Sequence, residues 1–137
     1  MRVMVIVKAN QQSEAGVLPD TELLARMGQF NEQLVQAGVM LEGAGLKPTS
    51  QGKRVSFAGP KPAATDGPFT ETKELVAGFW IWQVRSIDEA VEWLKRAPFN
   101  QGEVVEIRPF YEAADLNLTP ELQERGERLR RDIAAKK

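Results

Sequence analysis

The apolar run Ala77 to Val84, entered through Asp66-Gly67-Pro68-Phe69-Thr70-Glu71-Thr72-Lys73-Glu74, limits what this chain can fold into more than any other stretch. Side chains alternate along a strand, and here Phe79 and Ile81 share one face while Trp80 and Trp82 share the other. Burying side chains of this kind is worth ~1.5–3 kcal/mol each, so a strand that is apolar on both sides calls for cover on both sides. The segment before it sets a Gly-Pro turn and four ionisable groups (Asp66, Glu71, Lys73, Glu74) at the strand's entrance.

The flanking pattern supplies the partners. Met1 to Lys8 is a β-branched run that reads as a strand, followed by a polar loop from Asn10 to Pro19. Asp20 caps a helix whose Leu23, Met27, Phe30 and Leu34 recur on one face, with Gly38 as its stop. Val39 to Leu46 returns as a strand. Lys53 to Ala58 and Ala63 to Thr65, joined through Gly59-Pro60, form an inserted hairpin. Ser86-Ile87-Asp88-Glu89 reads as a capping box opening a helix that Pro98 ends, and Glu103 to Tyr111 is the last strand. Thr119-Pro120 opens a further helix with a thin apolar stripe of Leu122, Leu129 and Ile133, a C-terminal arm on the surface or on a partner.

The order β-α-β-(hairpin)-β-α-β predicts an α+β fold: a ferredoxin-like β-α-β-β-α-β subunit with both helices on one face of the sheet, an inserted hairpin and an extra C-terminal helix. Residues 1–112 form the domain and 113–137 the helical arm. Parity places Val3, Val5, Val7, Val105 and Ile107 under the helices. The second face then carries Met4, Ile6, Phe110 and one of the two aromatic pairs, together with Lys8, Glu106, Arg108 and Glu42. A second copy of the same sheet is the simplest cover for such a face, which predicts a homodimer closed into a dimeric α/β barrel.

Composition removes several chemistries. With 18 basic and 19 acidic residues there is no global field favouring nucleic acid or an anionic membrane. The chain has no cysteine and no histidine, so disulfides, thiolate nucleophiles, Ser-His triads and Cys- or His-ligated zinc are out of reach. No metal and no cofactor is expected. The N-terminal apolar run is too short for a signal-peptide core and no stretch reaches membrane-spanning length, so a cytoplasmic, non-membrane protein is expected. The basic residues of the last helix, Arg125, Arg128, Arg130 and Arg131, are interleaved with glutamates, the pattern of a solvated face rather than of a nucleic-acid contact.

Four segments in register (Asp66 to Glu74, Gly78-Phe79-Trp80-Ile81, Ser86-Ile87-Asp88-Glu89-Ala90 and Glu106-Ile107-Arg108-Pro109) resemble the DGPF-type proteins of the YCII-related family over roughly Met1 to Tyr111. The resemblance implies a ferredoxin-like subunit that dimerises into an α/β barrel. It also implies a small bacterial protein, in some cases with an extracytoplasmic sigma-factor context. Many members carry a His-Asp pair in the cleft; Asp66 resembles that aspartate, and the histidine has no counterpart in this chain.

The candidate site residues each carry two readings. Asp66 is either the first residue of a turn or a general acid/base. Glu71 and Lys73 share a strand face as a solvated pair, or Lys73 holds an anion while Glu71 or Glu74 accepts a proton. Glu106 and Arg108 are either a structural ion pair or the polar floor of a binding site, with Arg108 as the carboxylate contact and Glu106 as the base. Glu42 and Lys8 extend the polar wall. These residues lead to a small-molecule site, with carboxylate-based lyase or isomerase chemistry on a small acid, or alternatively to a non-catalytic ligand-binding or transcription-associated regulatory module.

Overall fold

A computed structural model describes residues 1–70 and 74–136. The elements in chain order are β1 (Arg2–Lys8), α1 (Gln11–Glu14), α2 (Thr21–Gln36), β2 (Met40–Gly45), β3 (Lys53–Ser56), β4 (Ala63–Asp66), β5 (Val76–Gln83), α3 (Ile87–Leu94), β6 (Val105–Pro109) and α4 (Pro120–Ala135). Four strands make an antiparallel sheet in the order β2-β5-β1-β6, and β3 and β4 pair as a separate two-stranded sheet. Asp20 caps α2 by accepting the Leu23 amide at 2.7 Å. The polar loop after β1 holds an extra helix, α1, whose single turn is closed by Asn10 and Ser13 bonding each other's backbone amides. It is too short to leave a periodic signature.

The register settles which aromatic pair is inside. Trp80 lies opposite Val5 and Trp82 opposite Val3, and all four are buried with Phe30 and Leu34 of α2. Phe79 and Ile81 lie opposite Ile6 and Met4 on the other face, where none of the four is fully buried. Gly43 is what allows Trp80 its place. A Cβ there would stand 2.7 Å from Trp80 Cδ1 and 2.9 Å from Met40 Cε.

The expected ferredoxin-like subunit closed into a dimeric α/β barrel is corrected at this point. Among the described residues the chain has a mixed α/β fold with two sheets and four helices, and neither sheet closes. Closure needs the outer strands to bond one another, whereas β2 and β6 are held apart by β5 and β1. The second face also needs less cover than its apolar residues suggest. The second face is screened by its own long side chains: the Arg2 guanidinium lies 4.9 Å from the Phe110 ring centre, and Lys8 reaches Glu106 at 3.2 Å. Met4, Ile6, Phe79, Ile81 and Phe110 are half-buried without any second chain.

The Gly67-Pro68-Phe69 turn is a clasp. The Glu14 carboxylate accepts both the Thr49 amide, at 3.0 Å, and the Thr49 hydroxyl; that hydroxyl oxygen in turn accepts the Phe69 amide at 3.0 Å. Arg54 of β3 covers the Phe69 ring at 3.8 Å. A Cβ on Gly67 would run into the Thr49 carbonyl, so only glycine allows the two backbones to meet. Thr49→Val leaves the Glu14 carboxylate and the Phe69 amide short of a partner, and a loss of about 1–3 kcal/mol is expected in urea denaturation. Gly67→Ala should cost about 1–3 kcal/mol through forced backbone displacement. Asp66→Ala, which removes only an exposed ion pair with Lys53, should stay within about 0.5 kcal/mol.

The start of α3 departs from the expected box. Ser86 accepts the Glu89 amide at 3.1 Å, but the Glu89 carboxylate accepts the Arg85 amide (3.3 Å) and guanidinium (2.9 Å) instead of the Ser86 amide. The Arg85 side-chain bond holds the Glu89 carboxyl below its ordinary value. A lowered carboxylate pKa adds stability above the unfolded value, and that contribution is lost as pH falls through the folded one. Glu89→Gln should therefore flatten the acid limb of a melting-temperature profile and leave its neutral region with a smaller gap to be read.

Candidate functional site

β1 and β6 pair with Ile6 opposite Glu106 and Met4 opposite Arg108, so alternation carries Lys8, Glu106 and Arg108 to the same open face. There they form a row. Lys8 Nζ stands 3.2 Å from Glu106 Oε1, and Arg108 Nε stands 3.7 Å from Glu106 Oε2. One carboxylate is thus shared between two cations and the row keeps a net positive charge. The shielding is graded along it: side-chain exposure is 23% for Lys8, 39% for Glu106 and 71% for Arg108. The row is therefore open to solvent at the Arg108 end and most enclosed at Lys8.

The enclosed end borders concave surface. A groove of about 680 Å³ lies at the end of β1 and the start of β6, lined by Val7, Lys8, Asn10, Phe99, Glu103 and Val105 among others. A second cleft of about 430 Å³ opens between α2 and the β2–β5 pair, against Met27, Asn31, Gly43, Gly78, Phe79 and Trp80. Val7 and Phe99 line both, so the two spaces adjoin across those residues. Ligand pockets commonly occupy roughly 300–1,000 Å³ and combine apolar walls with a few placed polar groups, which is the character of this pair. In the cleft the placed polar group is Asn31. Its Oδ1 accepts Trp80 Nε1 at 2.9 Å, which fixes the amide and leaves its NH2 group as a donor. In the groove it is Lys8.

The remaining candidate residues lie elsewhere. Asp66 ends β4 and pairs with Lys53 of β3, both side chains more than two-thirds exposed. Glu42 faces Ile81 across β2 and β5, at the edge of the sheet, and does not join the row. An irregularity between Met40 and Glu42 turns the two to opposite faces, with Met40 packed on the core. Glu71 and Lys73 lie outside the described residues. Trp93 packs on the core and stacks under Arg96 at 4.0 Å.

Asn31, Phe99 and the strand glycines were not among the residues that the sequence singled out. Glycines at 43, 45 and 78 inside strand patterns are a readable sign of close backbone approach. A Cβ on Gly78 would stand 3.1 Å from the Ala44 carbonyl oxygen. An asparagine beside Phe30 and Leu34 on a core helix is the other sign, since a buried amide needs a partner. Phe99 gave none; its position depends on how the chain leaves α3.

Among the described residues no helix is long and apolar enough to cross a membrane. An uncharacterized protein of Rhizobium meliloti (strain 1021) is 29% identical over 76 residues, which is 56% of this chain and 61% of that protein. The chain thus matches less than two-thirds of the length of this curated relative. Among solved structures, 5-chloro-2-hydroxyhydroquinone dehydrochlorinase from Burkholderia phenoliruptrix AC1100, in complex with 2,5-dihydroxybenzoquinone, aligns with 85% of this chain and 100% of its own. At 16% identity and a TM-score of 0.41, that likeness is too loose to transfer either fold or chemistry. The model of the YCII-related domain matches residues 1–114, and the chain belongs to the YCII-related family.

Proposed function

We propose that this protein binds a small organic acid at the loop-rich end of its larger sheet, with the apolar body of the ligand in the adjoining cleft and groove and its carboxylate at Lys8. One observation carries the reading: Lys8, whose ammonium holds the enclosed end of the charged row, also lines the groove, so the excess positive charge of the row stands at the groove's edge. Glu106 steadies the Lys8 ammonium from one side, leaving its other N–H donors for the ligand. Arg108 extends the same field outward and offers a second, exposed contact for an anion. Val7, Met27 and Phe99 supply the apolar walls, and the Asn31 amide a neutral donor deeper in.

The catalytic form of this reading uses the same parts. Glu106 accepts a proton from the bound acid, Arg108 balances the negative charge that develops, and Asp66 is a second proton-transfer group if the hairpin turns toward the site. Without histidine, carboxylates are the groups available for that work. The sharing of Glu106 between two cations favours the binding form, because both carboxylate oxygens already face a cation of the chain itself. We also assign the chain to the DGPF-type branch of its family. That assignment is supported by Asp66-Gly67-Pro68-Phe69, whose Gly67 and Phe69 the clasp with Thr49 and Arg54 requires.

Calorimetric titration with a panel of small aliphatic and aromatic carboxylates, each beside its uncharged amide, tests the reading. Carboxylates should bind and their amides about tenfold or more weakly, with Lys8→Met bringing the acid down to the level of the amide. Equal affinity of acid and amide, or an unchanged affinity in Lys8→Met, overturns it. Glu106→Gln separates the two forms: tighter carboxylate binding with no turnover in either protein supports the binding module, whereas a turnover present in the parent and lost in the variant supports the lyase or isomerase.

A further inference from the structure

We propose that α4 is an assembly element that pairs antiparallel with the α4 of a second copy of this chain. The helix stands outside the stretch matched by the family model, which ends at residue 114. It is a well-defined element: Thr119 accepts the Leu122 amide at 3.2 Å, Pro120 takes the first turn, and the helix runs for 16 residues from Pro120 to Ala135. Among the described residues no element buries any part of it. None of its residues is buried, and Leu122, Leu129 and Ile133 are 48%, 56% and 61% exposed. No ion pair closer than 4.0 Å runs along it among the described residues. Isolated helices of roughly this length are marginal in water, and most helical stability comes from packing an apolar face. This face lacks its partner.

The seam identifies that partner. Leu122, Gly126, Leu129 and Ile133 are spaced 4, 3 and 4 residues apart, the alternation of a coiled-coil core. Two parallel copies in register would set Gly126 against Gly126, an empty layer, and Arg125 of one helix against Arg130 of the other across the flank. Two antiparallel copies set Leu129 of one over Gly126 of the other and Leu122 over Ile133, so every layer holds an apolar side chain. Their flanking positions then bring Arg125 of each helix beside Asp132 of the other, two attractive contacts in place of two repulsive ones. Size and charge therefore select the same arrangement. The pairing uses only the extension after the family domain and leaves the sheet edges and the proposed ligand site untouched.

The test uses the full chain, with sedimentation equilibrium to read self-association and circular dichroism to confirm that each variant folds. The parent should form dimers. Arg125→Glu sets like charges against Asp132 and should weaken the dimer about tenfold, and Arg125→Glu combined with Asp132→Arg should restore it. Because the chain has no cysteine, single cysteines report direction: Leu122→Cys mixed with Ile133→Cys should cross-link on oxidation, and Leu122→Cys alone should not. A monomer at all concentrations, a dimer indifferent to Arg125→Glu, or self-cross-linking of Leu122→Cys overturns the proposal.

Discussion

Packing of the Trp80 and Trp82 indoles beneath α2 is the interaction on which the rest of this structure depends. The two rings sit 5.6 Å apart on one face of β5, and the Phe30 ring meets them edge-on at 5.9 and 6.3 Å. Such contacts add ~0.5–1.5 kcal/mol per pair to the burial of large apolar surfaces. Among the described residues the buried Trp82 Nε1 has no hydrogen-bond partner, an omission that ordinarily costs about 1–3 kcal/mol. Three consequences follow from the seat of Trp80. Gly43 must stay small, Asn31 is drawn in to accept the indole N–H, and Phe99 closes edge-on at 6.1 Å. Those same residues line the cleft. The core and the candidate site are thus continuous.

That continuity explains which parts of the fold were legible beforehand. Val3 and Val5 could be placed in the core by parity, because a period of two sorts faces without knowledge of the fold. The cap residues Asp20, Ser86 and Thr119 were readable because the side chain and the amide it serves lie three residues apart. Choosing Trp80 and Trp82 over Phe79 and Ile81 was not possible from β5 alone, since both pairs are apolar. The deciding fact is the register that puts Gly43 across from Trp80. The barrel expectation failed for a related reason. It counted Lys8 only as a charge and took no account of Arg2, whereas both side chains reach over the second face and reduce the need for a covering sheet.

The candidate site divides along the same line. Lys8, Glu106 and Arg108 share one face because two strands and a simple alternation suffice to bring them there. Glu42 also reaches the open face but at the far edge, a separation set by strand order rather than by parity. The cleft itself was invisible in the sequence: it is shaped by Phe99 and Asn31, which arrive from different connections and meet only in the folded chain. Asp66, the most conspicuous acid of the turn, stands paired with Lys53 in the small sheet, while its neighbours Gly67 and Phe69 hold the turn to Thr49. The described start of the segment that names the resemblance, Asp66 to Thr70, is on this geometry first a device for fastening a hairpin.

What joins these parts into an account of function is the meeting of a positively biased row with an apolar hollow at Lys8. Amide chemical-shift mapping by NMR, during titration with a small aromatic carboxylate, examines that junction residue by residue. The account predicts saturable shifts concentrated at Val7, Lys8, Asn31, Phe99 and Val105, with α4 and the β3–β4 hairpin unmoved. Shifts confined to Asp66 and Lys53, or scattered over the arginines of α4, would contradict it.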